Sequence, residues 1–115
     1  MRQEEHNIQV AIVRYLRLRG FEVFAIPNGG RRDAVTGAKL KAEGATAGVA
    51  DLEILLPIGN ALFVEVKTAK GRQSDEQKEF QQRVESLGFN YLIWRSVDDA
   101  VLWSKKILQN DFSCG

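Results

Sequence analysis

One cysteine and one histidine among 115 residues leave little room for several chemistries. Cys114 has no second cysteine to pair with, so no intramolecular disulfide can form and a cysteine-built zinc site is excluded. The lone His6 adds too little to replace it. No apolar run approaches the ~20 residues that a membrane-spanning helix needs, and the opening stretch Met1, Arg2, Gln3, Glu4, Glu5, His6 lacks the apolar segment of a signal peptide. The expectation is a cytoplasmic protein with no membrane partner. An excess of one charge is missing too: 16 Lys and Arg against 15 Asp and Glu give +1, a balance that by itself says little about partners.

What is present fits an ordinary globular chain, with 44% hydrophobic and 27% charged residues. Its length allows one domain, residues 1–115, around one hydrophobic core. Ile8, Ala11, Ile12, Tyr15 and Leu16 recur at spacings of three and four, which predicts a helix over 3–19 stopped by Gly20. A strand is predicted over 21–26, closed by Pro27, Asn28, Gly29 and Gly30. Residues 28–48 then carry five glycines and four basic residues, a connection long enough to suggest a functional loop, with a short helix over 38–43. Apolar runs over 50–56 and 61–66, separated by Pro57, Ile58, Gly59 and Asn60, read as an antiparallel hairpin. Ser74 caps a second helix, with Gln77 completing a capping box and Gly88 ending it. A strand over 89–94, a helix over 97–108 and a tail from about 110 complete the order α-β-loop-β-β-α-β-α, an α/β sandwich around a mixed sheet.

Two charges stand out in an otherwise apolar strand: in Phe63, Val64, Glu65, Val66, Lys67, the Glu and the Lys are two apart and so project from one face. Closing the hairpin at 57–60 brings Asp51 near Glu65 and Val66. Two carboxylates in one small region resist joint ionisation unless a cation lies between them, and hard oxygen ligands suit Mg²⁺ or Mn²⁺. Lys67 beside such an ion could orient an attacking water or offset charge building on a phosphate. Those are the parts of a phosphodiester hydrolase. Taken alone, Glu-x-Lys is often a solvated edge with a cross-strand ion pair, and a single Asp before a strand is often a turn residue. The set of three, placed across a hairpin inside apolar runs, favours a site.

Asp51, thirteen further residues and then Glu65, Val66, Lys67 resemble the PD-(D/E)xK nuclease superfamily, with Ala50 where the motif has Pro. The wider pattern is similar to the VRR-NUC (virus-type replication-repair nuclease) family from about Glu4 to Ala100. It comprises Glu5, His6, Asn7, Ile8, Gln9; Pro27, Asn28, Gly29, Gly30; Gly48, Val49, Ala50, Asp51, Leu52; Glu65, Val66, Lys67; and Ser74 through Gln77 followed by a Gly-x-x-Tyr strand. The resemblance implies a restriction-endonuclease-like fold and a DNA endonuclease using Mg²⁺ or Mn²⁺. It further implies selectivity for branched DNA such as four-way junctions and pairing as a homodimer, in a bacterial or phage-infected cytoplasm. It also implies that the Val66 carbonyl is a metal ligand beside Asp51 and Glu65, and that a helix acid reaches the metal directly or through water. Glu5 is the choice over Glu4 because of its spacing to Gln9, although an acid in a first helical turn also simply complements the helix dipole.

Gln77 aligns with Phe80, Val84 and Leu87 on the buried stripe of the second helix, which suits a polar group facing the site, and its capping role would explain it equally well. Asn28, Arg31, Arg32, Lys39 and Lys41 are candidates for phosphate contacts, a solvated loop being the alternative for some of them. Trp94 and Trp103 read as core residues in preference to base-stacking platforms. A non-catalytic nucleic-acid-binding module on the same fold is the competing functional reading. It leaves unexplained why charges that cost stability would be buried.

Overall fold

The computed structural model describes residues 3–27 and 34–113. Helix α1 (Gln3–Leu18) buries Ile12 and Leu16 from its apolar stripe. It ends at Gly20, whose φ of +91° is a left-handed conformation that glycine adopts without a Cβ clash. Strand β1 (Glu22–Ala25) follows, and α2 (Ala34–Ala42) occupies the long connection. The short helix expected at 38–43 thus starts earlier. Strands β2 (Leu52–Leu56) and β3 (Asn60–Val66) form the expected hairpin, α3 (Asp75–Ser86) crosses over, and β4 (Asn90–Trp94) and α4 (Val97–Ser113) finish the order. Helix α4 was expected to stop at 108 before a tail. It runs on instead because no Gly or Pro interrupts the segment until Gly115.

The sheet order is β1-β2-β3-β4, antiparallel except for the parallel β3–β4 pair that the α3 crossover allows. Strand alternation sorts the side chains onto two faces. Leu52, Ile54, Leu62, Val64 and Val66 pack with Ile12, Leu16, Trp94 and Ala100 under α1 and α4. Trp103 stacks between Phe21 and Trp94 at 5.1 and 5.6 Å, so both tryptophans belong to the packing of this layer. On the opposite face Ala50, Val84 and Tyr91 pack with Phe63, Phe80 and Ile93 beneath α3. Glu65 lies between Val64 and Val66 and therefore turns toward the α3 side, into the smaller of the two cores.

Candidate active site

Asp51 is fixed by its own backbone before its side chain acts. Its N–H donates to the Val64 carbonyl at 3.0 Å, and its carbonyl accepts from the Ile26 N–H at 2.8 Å, so the residue is held between β1 and β3. The turn leading into it is equally constrained. Gly48 has φ +79°, and a Cβ there would lie 2.3 Å from the Glu76 carbonyl group, so only glycine lets this turn press against the first turn of α3. Ala50, at the place of the motif's Pro, is fully buried. The Asp51 carboxylate then reaches across the hairpin, where Oδ2 accepts from the Val66 N–H at 2.7 Å.

Glu65 is 0% exposed. Its two oxygens have different surroundings. Oε1 accepts from the Tyr91 hydroxyl at 2.5 Å and from Gln73 Nε2 at 3.0 Å. The same Gln73 nitrogen donates to Gln81 at 2.9 Å, and Gln81 in turn donates to Glu85 at 3.2 Å along α3. Oε2 is buried without a hydrogen bond and has Lys67 Nζ at 3.3 Å, an ion pair without hydrogen-bond alignment. The Lys67 side chain, only 12% exposed, leaves β3 at the end where Asp51 sits. Beyond it, Arg95 Nη1 donates to the carbonyls of Thr68 and Gly71, both at 2.7 Å, and of Ala69 at 3.3 Å. One guanidinium thereby pins the loop that follows Lys67.

The electrostatics follow from this crowding. Burial pushes the Asp51 carboxyl up from its ordinary range; the Val66 N–H opposes this, the charges of Glu65 and Glu5 add to it, and Lys67 lowers it. Burial, and then the bond to Glu65, push the Tyr91 phenol well above its usual value, so it remains a donor.

An oxygen-loving cation suits these residues. Glu65 Oε2 is buried with no hydrogen bond and, among the described residues, only the Lys67 ammonium near it, and the charged form of Asp51 is disfavoured by burial and, beyond that, by a second acid across the hairpin. No three His, Cys, Asp or Glu side chains converge as a ready cage among the described residues. The donor set is thus two carboxylates, which a backbone oxygen, water or phosphate would complete in the way Mg²⁺ is commonly held.

Of the residues singled out by sequence, Asp51, Glu65, Val66 and Lys67 meet at one end of the hairpin. Glu5, partly buried on α1, acts on Asp51 through its charge, whereas Glu4 is exposed. Gln77 is engaged in the capping box: its Oε1 accepts the Ser74 N–H at 2.8 Å, and its N–H donates to Ser74 Oγ at 3.2 Å. The α3 glutamine linked to Glu65 is Gln81, through Gln73. Lys39 and Lys41 lie exposed on the last turn of α2, and Asn28, Arg31 and Arg32 lie outside the described residues. The family pattern in the sequence contains Gln9 and Tyr91 without a role of their own for either, and Gln73 and Arg95 lie outside it; the buried Oε1 of Gln9 has no hydrogen-bond partner among the described residues. Beside the Gly-x-x-Tyr spacing, a polar-tipped aromatic in an apolar strand was the signal available for Tyr91.

The VRR-NUC domain model matches residues 3–98, a span that includes every residue of this cluster. The chain belongs to the VRR-NUC family. Two solved structures share its fold. One is described as a VRR-NUC domain (TM-score 0.65, 21% identity, covering 90% of this chain and 97% of that one). The other is a VRR-NUC domain protein (TM-score 0.72, 19% identity, covering 92% and 88%). No curated protein matches the chain closely enough to count as a relative. The four-stranded mixed sheet flanked by helices is thus a restriction-endonuclease-like fold. VRR-NUC domains form a nuclease family for which DNA is the implied substrate and divalent metal ions are the typical cofactors. No described helix is long and apolar enough to cross a membrane.

Proposed function

We propose that the protein is a divalent-metal-dependent DNA endonuclease whose site is Asp51, Glu65 and Lys67. The observation that carries this reading is the fully buried Glu65 paired with the partly buried Lys67, with Asp51 at the same strand ends, an arrangement that costs stability unless it serves a ligand. Asp51, Glu65 and the Val66 carbonyl would hold Mg²⁺ or Mn²⁺, with Glu5 adding negative charge from α1. When bound, such an ion supplies Lewis acidity toward the scissile phosphate. The chain's own residues do the rest. Water held by Lys67 would attack phosphorus and give up its proton to solvent as the P–O bond to the leaving sugar oxygen breaks and that oxygen takes up a proton. Meanwhile the carboxylates at the strand ends face the phosphate, and the Lys67 charge offsets that on its oxygens. Lys39 and Lys41, together with Asn28, Arg31 and Arg32, would contact the DNA backbone.

Selectivity for branched DNA by a homodimer is part of the proposal. It draws on the family pattern and on the far end of the hairpin, where Pro57, Ile58, Phe89 and Ile107 together with Asn60 and Asn90 line a cleft of about 290 Å³ and Ile58 is 96% exposed.

The test is cleavage of labelled duplex, flap, single-stranded and four-way-junction DNA with Mg²⁺, Mn²⁺ or EDTA, alongside sedimentation of the same samples. Metal-dependent cutting is expected, strongest on branched DNA, with Lys67→Ala lowering the rate by about 10²–10³-fold and Asp51→Asn abolishing it. Binding without cutting under either metal would transfer the protein to the class of nucleic-acid-binding modules.

A further inference from the structure

Glu65 offers its surroundings two oxygens, and the fold has already used one. A carboxylate accepts at about four lone-pair positions. On Oε1, two are taken by the Tyr91 hydroxyl at 2.5 Å, in the range of a short charge-assisted bond, and by Gln73 at 3.0 Å. Neither donor is loosely held. The Tyr91 ring is buried and tilted against Phe80 at 6.3 Å, and the Gln73 amide is tied to Gln81 on α3 at 2.9 Å. Oε2, by contrast, carries no hydrogen bond and is the oxygen nearest Lys67.

We propose that Tyr91 and Gln73 are positioning residues that leave Glu65 a single ligating oxygen, Oε2, and thereby bias the site toward Mg²⁺ or Mn²⁺ and against Ca²⁺. The inference rests on the metal-binding reading above and extends it to ion choice. Ca²⁺ takes six to eight oxygens and commonly uses carboxylates through both atoms, whereas Mg²⁺ keeps octahedral geometry with several waters and one oxygen from each carboxylate. Occupying Oε1 removes the two-oxygen option without altering the charge. Because Gln73 connects onward to Gln81 and Glu85, α3 sets this restriction as well as covering the core.

The experiment is calorimetric titration of the DNA-free, full-length chain with Mn²⁺ alone and with Ca²⁺ alone, for wild type, Asp51→Asn, Tyr91→Phe and Gln73→Ala, with folding checked by circular dichroism. Wild type is expected to bind Mn²⁺ in preference to Ca²⁺, and Asp51→Asn to abolish binding. Tyr91→Phe and Gln73→Ala should each weaken Mn²⁺ about tenfold while weakening Ca²⁺ less, so that the preference for Mn²⁺ narrows. A general loosening of the fold would weaken both ions by the same factor. An unchanged Mn²⁺-to-Ca²⁺ ratio in the folded variants therefore overturns the inference and leaves the metal site standing. If Tyr91→Phe does not fold, Gln73→Ala, at a partly exposed position outside the helices, decides the matter. A wild-type chain that binds neither ion, or binds them equally well without the Asp51 carboxylate, overturns the metal reading and this inference together.

Discussion

Asp51 sits where burial works against its charged form. Burial raises its folded-state pKa above the ordinary 3.8, with Glu65 and Glu5 adding to the shift. The folded chain therefore holds the Asp51 proton more tightly than the unfolded chain. This contribution to stability is favourable at low pH and is lost as pH rises from 3.8 through the raised folded value. In EDTA, Asp51→Asn is thus expected to melt above wild type at pH 7, with the difference closing on acidification to below 3.8. Mg²⁺ should reverse the order at pH 7, since only wild type gains stability from the bound ion. Scanning calorimetry across pH checks it, and melting temperatures of the two proteins that stay parallel throughout would contradict the account.

One contact between elements admits no side chain. The turn before Asp51 lies against the start of α3 because Gly48 has no Cβ. Gly48→Ala must accommodate both a left-handed φ and a collision with the Glu76 peptide, and is expected to cost about 2–4 kcal/mol, measurable by urea denaturation. A loss below 0.5 kcal/mol would mean that the turn relaxes freely. The same elements show what could be read beforehand. The capping box of Ser74 and Gln77 was legible because its partners are three residues apart, and the approach of Asp51 to Glu65 because a short turn closes one hairpin. The Tyr91–Glu65 bond and the Arg95 clamp on residues 68–71 were not, since their partners are separated by more than twenty residues and meet only once β4 lies parallel to β3. For Gln77 the sequence left two roles open, a cap and a residue facing the site, and its side chain is bonded in the cap.

At the scale of the whole molecule, the +1 net charge bounds how DNA is held. With so small a net charge to draw in the polyanion, the proposed DNA binding would depend on a few local cations, for which Lys39 and Lys41 on α2 are the proposed candidates. Lys39→Ala and Lys41→Ala are each expected to make the slope of log K against log salt shallower by about one, without changing which DNA shape is preferred. Fluorescence anisotropy over a salt series measures this. A slope that neither substitution moves would place the phosphate contacts elsewhere.

The hairpin has a consequence for the order in which the site comes into being. Asp51 and Glu65 are separated by little more than two paired strands and a turn, so a loop closure of low entropic cost brings the acids together, on the order of microseconds for a hairpin. Tyr91 joins only after the α3 crossover has returned the chain to the far side of β3. The two acids are thus near neighbours along the chain while the phenol that holds one of them is not, so on the proposed metal reading a hairpin alone already carries both carboxylate ligands and the α3 crossover supplies only their restraint.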